Sequence, residues 1–326
     1  MSARPTWALV LAMNQLRRTR ECLTSVSALD PRAEHVLLVD NGSTDGTAEA
    51  MRAEFPEVEV LRLEKNLYFA GGVNEGIRHA LARGARSILI LNNDVVLERG
   101  ALDVLRRALV EDPRRAAVSP KIYYYDPPDV IWFAGGQIGR GFGLIRHRGV
   151  NVKDEKLRDG PLDVDYVSFA AALLSREGLE SVGLLDPGYV MYVEDVDWCA
   201  RARERGLVLR YEPSAKVWHH VSATSGGGLT PLKAYYRLRS GAVYLVRHGR
   251  AWERPLSWVA YLAWTLWLLP GTLARGDGRS AGALLVGFFD FTRILLGFRP
   301  PDRKPESFAP PSPRPGTAPR APGPSG

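Results

Sequence analysis

Four short clusters in this 326-residue sequence carry side chains able to do chemistry. In Leu37 to Thr47, LLVDNGSTDGT, an apolar run ends on Asp40 and passes into small polar residues that can wrap a ligand. A carboxylate at such a strand end can accept hydrogen bonds from a base or a ribose. The same segment also reads as an ordinary turn in which Ser43, Thr44 or Asp45 caps the next helix. In Ile88 to Val95, ILILNNDV, a second apolar run delivers Asp94, placed to hold a hard cation against a diphosphate, with Asn92 and Asn93 as neutral oxygen donors or orienting groups. The alternative there is a plain polar turn. Tyr189 to Arg201, YVMYVEDVDWCAR, sets Glu194, Asp195 and Asp197 at a helix start, where the helix dipole favours acids, and capping accounts for Asp197. Asp195, if it faces a crevice, can take the proton of an attacking hydroxyl. His219 and His220 follow the strand-like Lys216 to Trp218. They are structural, or they complete a site for a borderline metal such as Mn2+ beside Asp94 and a diphosphate.

These residues must be carried by regular elements. Trp7 to Leu11, His35 to Val39, Val58 to Leu63 and Ser87 to Leu91 are apolar runs of strand length, each leading into polar turns and helical patterns. Gly72 to Arg83 reads as a helix with Val73, Ile77, Ala80 and Leu81 on one face. The alternation predicts an α/β chain, Rossmann-like, with a mostly parallel central sheet flanked by helices. In such sheets ligands sit beyond the carboxyl ends of the strands, so Asn14, Asp40, Asn66 and Asp94 should converge on one crevice. The Tyr- and Gly-rich stretch Tyr123 to Gly149 predicts hairpins and loops, and Val164 to Leu174 is apolar again. A further helix is expected from about Asp195 to Arg205, stopped by Gly206.

Composition narrows the classes. With 45% hydrophobic residues the chain can bury a sizeable core, which excludes a disordered protein. Lys and Arg outnumber Asp and Glu by 43 to 36, a surplus that suits phosphate-bearing ligands or an anionic membrane surface and does not by itself imply nucleic acid. Cys22 and Cys199 make no disulfide framework, and the N-terminus runs into a strand pattern without the marks of a signal peptide. The expected location is the reducing cytoplasm. Neither a G-x-G-x-x-G turn after the first strand nor a P-loop is present, which argues against dinucleotide oxidoreductases and P-loop enzymes.

Taken in order, LVDNGSTDGT, NLYFAGGVNEGI, LNND, YVMYVEDVDWCAR and VWHHVSATSGG resemble the motifs of family 2 glycosyltransferases, particularly bacterial rhamnosyltransferase-like members, over roughly Trp7 to His248. The resemblance implies a GT-A fold, a nucleoside-diphosphate-sugar donor (dTDP- or UDP-linked), Mg2+ or Mn2+ as cofactor, and a single inverting displacement. It assigns Asp40 as the nucleotide-binding acid and places Asn14, Asn66, Gly71, Gly72, Asn74 and Asn93 on the donor side. Asp94 and His219 become metal ligands, Asp195 the catalytic base, and Glu194 and Trp198 the acceptor side. Asn92 stands where the first acid of a D-x-D motif would be. The donor sugar that the resemblance favours is rhamnose, carried to a glycan or lipid-linked glycan in cell-surface polysaccharide synthesis.

The implied organisation is a nucleotide-sugar-binding half (1–120), an acceptor and catalytic half (121–250), an apolar helical appendage (251–299) and a disordered Pro-rich tail (300–326). In the appendage, Leu256 to Leu269 is apolar with Trp258, Trp264 and Trp267, but at about 14 residues it is shorter than the roughly 20 of a spanning helix, and Pro270 and Gly271 should stop it. Asp290 and Arg293 interrupt the second run, Ala281 to Phe298, as on the polar side of an interfacial helix. Flanking arginines point to peripheral contact with an anionic membrane, on the inner face of the plasma membrane. The alternative is packing against the catalytic domain or in a homo-oligomer. Among rival functions, a nucleotide-sugar pyrophosphorylase would need a Gly-rich loop with an Arg-Leu pair near the first strand. A processive synthase would need a Q-x-x-R-W motif and long transmembrane helices. Neither pattern is read here. A non-catalytic glycan- or nucleotide-sugar-binding module of the same fold would be expected to lose Asp94 or Asp195, and both are present.

Overall fold

The computed structural model describes residues 5–139, 144–221 and 229–308. Its first half alternates β1 (Thr6–Ala12), α1 (Leu16–Ser27), β2 (His35–Asp40), α2 (Thr47–Glu54), β3 (Glu59–Arg62), α3 (Tyr68–Ala82) and β4 (Ser87–Asn92). Every residue of β1 is buried, as a continuous apolar run between two helix layers requires. β3, β2, β1 and β4 lie side by side and parallel, with Ala12 opposite Asp40 and Leu11 opposite Asn92. That register brings the polar ends of three strands to one edge.

The second half changes the sheet's character. After β5 (Val95–Leu97) and α4 (Ala101–Val110) come β6 (Arg115–Tyr124), β7 (Val130–Phe133), β8 (Gly136–Ile138), β9 (Ile145–His147), β10 (Val152–Lys153) and β11 (Leu162–Asp163). β12 (Ala171–Ser175) then runs antiparallel between β4 and β6, so the sheet is mixed rather than mostly parallel. Periodicity reveals a strand but not the direction in which it pairs. α5 (Arg176–Val182), α6 (Glu194–Glu204) and β13 (Val208–His219) follow. β13 pairs parallel to β6 and antiparallel to β5, which sets His219 opposite Val95 and therefore next to Asp94.

Helix α3 lies close on the sheet because Gly72 and Gly76 have no side chain. A Cβ on Gly76 would stand 2.4 Å from Leu9 Cδ1 and 2.8 Å from Val39 Cγ2, both in the packed core. Gly76→Ala is therefore expected to destabilise the protein by about 1–3 kcal/mol, the usual cost of overpacking, read as a lower denaturant midpoint at unchanged slope.

The expected appendage (251–299) comprises α8 (Glu253–Ala274) and α9 (Gly278–Leu295), which follow α7 (Pro231–His248). α9 crosses α7 at Gly287, where a Cβ would meet the Tyr235 backbone at 3.2 Å. α8 packs on α9 through Trp258 with Phe288 and Tyr261 with Phe291. Two expectations are corrected here. Asp290 does not sit on a polar outer side: it is fully buried, accepting from Tyr235 Oη at 2.9 Å and from Arg303 Nε at 2.8 Å. Pro270 does not stop α8, which continues through it to 22 residues. One missing N–H does not end a helix whose other face is packed. At 1.5 Å per residue α8 is roughly 33 Å long, so shortness no longer argues against a span. Among the described residues it is the one helix long and apolar enough to cross a membrane. Nor is the chain after Pro300 wholly loose, since Pro305–Phe308 forms a turn docked on α7, with Phe308 stacked on Tyr235 at 4.4 Å. The rest of the expected tail, and the Gly-rich Ser225 to Gly228, lie outside the described residues.

Candidate active site

The site occupies the loops beyond the carboxyl ends of the strands. Seven described non-glycine residues have positive φ, and six of them lie in three of these loops: Asn14 and Gln15 after β1, Tyr68 after β3, and Val190, Tyr192 and Val193 before α6. Left-handed backbone at such residues costs about 1–3 kcal/mol each and persists where surrounding contacts over-determine it.

On the nucleotide side, Asp40 is fully buried. Its Oδ1 accepts from the Ser43 N–H at 3.1 Å, while Oδ2 has no hydrogen-bond partner and lies 3.6 Å from Arg62 Nε. A buried acceptor left open on the rim is suited to a ligand donor. Beside it Gly42, Ser43, Thr44, Arg62, Leu63 and Glu64 line a cleft of about 340 Å3. Gly42 (φ +82°) is indispensable there, since a Cβ would stand 2.8 Å from the Lys65 carbonyl carbon.

The asparagines serve mainly as fasteners. Asn14 Oδ1 accepts from the Thr44 N–H at 2.8 Å, and the Asn14 N–H donates to Ser43 Oγ at 2.7 Å. Asn93 Nδ2 donates to Thr19 Oγ1 at 2.9 Å and to Asn14 O at 3.3 Å. Asn66 Oδ1 accepts from the Tyr68 N–H and from Asn41 Nδ2. Asn41, which sequence reasoning missed, ties the β2 loop to the β3 loop through Asn66, Leu67 and Tyr68. Its place directly after Asp40 was the available signal. Asn14, Asp40, Asn66 and Asn93 thus belong to one rim, while Gly71 lies in the first turn of α3 against Leu67. Gly72 and Asn74 do not belong to that rim: Gly72 is buried on the face of α3 that packs on Leu11 and Asn41, and the Asn74 amide closes two hydrogen bonds on the Leu185 backbone.

Asp94 and His219 meet. Asp94 Oδ1 and His219 Nε2 are 3.0 Å apart and both residues are buried, yet the contact lacks hydrogen-bond geometry, leaving Asp94 Oδ1 and His219 Nδ1 without hydrogen-bond partners. Two ligands at about 2.1 Å on adjacent corners of an octahedral ion stand about 3 Å apart, so this pair fits a divalent cation. Among the described residues no third His, Cys, Asp or Glu joins them. That suits an ion completed by water and phosphate oxygens. His220 turns away to Arg18 Nη1 at 2.9 Å and Glu21 Oε2 at 3.1 Å, under the Tyr125 ring. Trp132, also missed, sets its edge against His219 at 4.7 Å. Behind it His147 is held neutral, burial pushing its imidazole down to about 4.

Asp195 stands on the opposite wall. Its Oδ1 accepts from the Val196 N–H at 2.9 Å and its Oδ2 from the Phe169 N–H at 3.3 Å. The neighbouring Ala170 carbonyl accepts from the Asn92 N–H at 3.0 Å, which ties this wall to the strand end carrying Asp94. Burial raises the Asp195 carboxyl above the ordinary range while the two N–H donors pull it back. Glu194 is raised further, by burial and then by the Asp195 charge. Burial and mutual repulsion thus make it hard for the two adjacent carboxyls to ionise together. Asp197 is structural, gripped by Tyr189 Oη, Arg201 Nε and His248 Nε2. Trp198 is fully buried, its Nε1 donating to Gly183 O, and so cannot face an acceptor.

Known proteins of similar sequence and fold identify the family. The family model described as glycosyl transferase family 2 matches residues 8–183. An N-acetylglucosaminyl-diphospho-decaprenol L-rhamnosyltransferase of Mycobacterium tuberculosis is 31% identical over 261 residues, 72% of this chain and 82% of that one. A dTDP-rhamnosyl transferase of Shigella flexneri, RfbF, is 22% identical over 73% of this chain and 79% of its own. In fold, the chain resembles a mannosyltransferase of Pyrobaculum calidifontis solved with GDP-Man and Mn2+ (TM-score 0.53, 16% identity, 91% and 88% covered). It also resembles GalNAc-T7 solved with UDP, GalNAc and Mn2+ (TM-score 0.59, 15% identity), 78% of this chain matching about half, 51%, of that longer one. The fold is GT-A, and the chain belongs to glycosyl transferase family 2.

Proposed function

We propose that the protein is an inverting rhamnosyltransferase that takes its sugar from dTDP-rhamnose and places it on a hydroxyl of a lipid-linked glycan at the inner face of the plasma membrane. The observation that carries the transfer chemistry is the meeting of the buried Asp94 and His219, 3.0 Å apart, at the strand end beside Asp40 and its open carboxylate oxygen, with Asp195 tied to that same strand end through Phe169, Ala170 and Asn92. Asp40 and the Asn41-fastened loops bind the nucleoside. Asp94 and His219 would hold Mg2+ or Mn2+, which supplies charge neutralisation for the departing diphosphate. Asp195 takes the acceptor hydroxyl proton as that oxygen bonds to the anomeric carbon. The bond from this carbon to the diphosphate oxygen breaks, and the nucleoside diphosphate leaves with the electron pair. One displacement with no enzyme-bound sugar gives inversion. The sugar and acceptor rest on the two rhamnosyltransferase relatives.

Incubating the full-length protein with dTDP-rhamnose, alongside a panel of UDP-sugars, and an N-acetylglucosaminyl-diphospho-lipid tests this. Rhamnosylated lipid and released dTDP are expected, and turnover of a UDP-sugar alone would overturn the donor assignment.

The appendage supports the location. Val259, Leu266, Trp267 (75% exposed) and Leu273 of α8, with Phe289 of α9 and Leu296 after it, present apolar surface to solvent. Arg250, Arg275 and Arg299 lie near its ends, matching an anionic headgroup layer at about 1 kcal/mol each. The protein is expected to float with anionic vesicles at low salt, and Trp267→Glu to weaken flotation. Recovery of the wild type only in the soluble fraction would refute a membrane seat.

A further inference from the structure

Tyr68 is anchored from an unexpected direction. It opens α3 in a left-handed conformation (φ +57°) that a tyrosine rarely adopts. Its N–H donates to Asn66 Oδ1 at 2.8 Å, and its carbonyl accepts from Asn41 Nδ2 at 3.0 Å. Those two contacts hold the loop that follows directly on Arg62, Leu63 and Glu64 of the nucleotide cleft and backs Gly42, whose Cβ would stand 2.9 Å from Asn66 N. The third anchor comes from 238 residues away: Tyr68 Oη donates to the Glu306 carboxylate at 3.0 and 3.4 Å. Burial and then this carboxylate push the phenol up to about 12, so it remains a donor throughout the working pH range.

Glu306 is itself delivered by a fastened strap. Beyond α9 the chain doubles back over α7. Arg303 Nε donates to the buried Asp290, Tyr236 Oη donates to Arg303 O, and Phe308 lies on Tyr235. Pro305 is buried between these fixings. The strap therefore ties α7 and α9 to the donor loop.

We infer that Glu306 is a positioning residue for donor binding: the strap holds Tyr68, and through it the Asn66–Tyr68 loop, in the strained conformation that backs Gly42 and fixes the adjoining wall of the nucleotide cleft at Arg62, Leu63 and Glu64. This rests on the donor reading above. A strained backbone stays in place only while its contacts over-determine it, so removing the outer anchor should let the loop relax toward ordinary φ. The donor would then bind a site that is only partly formed, and its apparent affinity would fall by the competent fraction.

The test uses full-length protein carrying Tyr68→Phe, Glu306→Ala or both, with Glu306→Gln as the variant that keeps an acceptor. Each single variant should raise the donor KM and the Kd for dTDP by about three- to tenfold, the scale of one charge-assisted hydrogen bond, with a smaller change in kcat. The double variant should be no worse than either single, and Glu306→Gln should recover part of the loss. Amide exchange in a peptide covering 64–70 should quicken in the variants. Wild-type donor KM and exchange in both single variants, or effects that simply add in the double, would overturn the inference. Failure of the wild type to bind dTDP would instead overturn the donor reading, and exchange at 64–70 would still decide whether the strap holds the loop.

Discussion

Replacing Asp195 by Asn lowers turnover by about 10²- to 10⁴-fold, the range lost with a general base, while dTDP binding stays near wild type. The amide is nearly isosteric and keeps a carbonyl for the Val196 or Phe169 N–H, so the loss reports proton transfer rather than a collapsed loop. Glu194→Gln should cost far less, because the amide keeps the size of the side chain and leaves the Asp195 carboxylate with its two N–H donors in place. The sign of the pH dependence follows. The base works ionised, and burial raises its pKa, so kcat/KM should fall with acidification through a midpoint above the roughly 3.9 of an ordinary aspartate. Wild-type turnover in Asp195→Asn would remove the assignment, and an acid limb at the ordinary aspartate value would show that the group is not buried as the fold has it.

Loss of the Asp94 carboxylate should be nearly as damaging, by a different route. In Asp94→Ala, Mn2+-dependent binding of dTDP should weaken by roughly 100-fold or more, at least the loss seen when supporting groups of a metal site are removed. Chelation should abolish wild-type activity and add little to the defect of the variant. His219→Ala should resemble Asp94→Ala, and the double variant should be no worse than the singles, because both side chains serve one ion. Additive losses, or dTDP binding that is indifferent to the metal in the wild type, would separate the two residues and defeat the shared site.

Legibility of the site in the sequence divides along a physical line. Asp40, Asp94 and Asp195 could be picked out because each is a charge at the end of an apolar run or at a helix start, and although a turn or a cap explains any one of them, their occurrence in the ordered motifs of one family does not follow from turns and caps. The asparagines could not be sorted that way. Asn14, Asn66, Asn74 and Asn93 look alike as polar residues after strands or within a helix, but what each amide does depends on the backbone opposite it, Thr44, Tyr68, Leu185 and Thr19 respectively. Trp198 misled for a similar reason. A tryptophan three residues after a catalytic aspartate lies on the same side of the helix, yet α6 turns that indole into the core.

Hydrophobic periodicity and the ordered strand-end motifs were enough to determine an α/β chain of this family and to single out the strand-end acids Asp40 and Asp94, because those features are local and repeat over a few residues. Only the tertiary structure decided the rest. The antiparallel insertion of β12, the meeting of Asp94 with His219, the continuation of α8 through Pro270, the inward turn of Asp290 and the reach of Glu306 to Tyr68 are all contacts between segments distant in the chain or outcomes of packing. No window of sequence contains both partners of such a contact, and its free energy exists only once the backbone has brought them together.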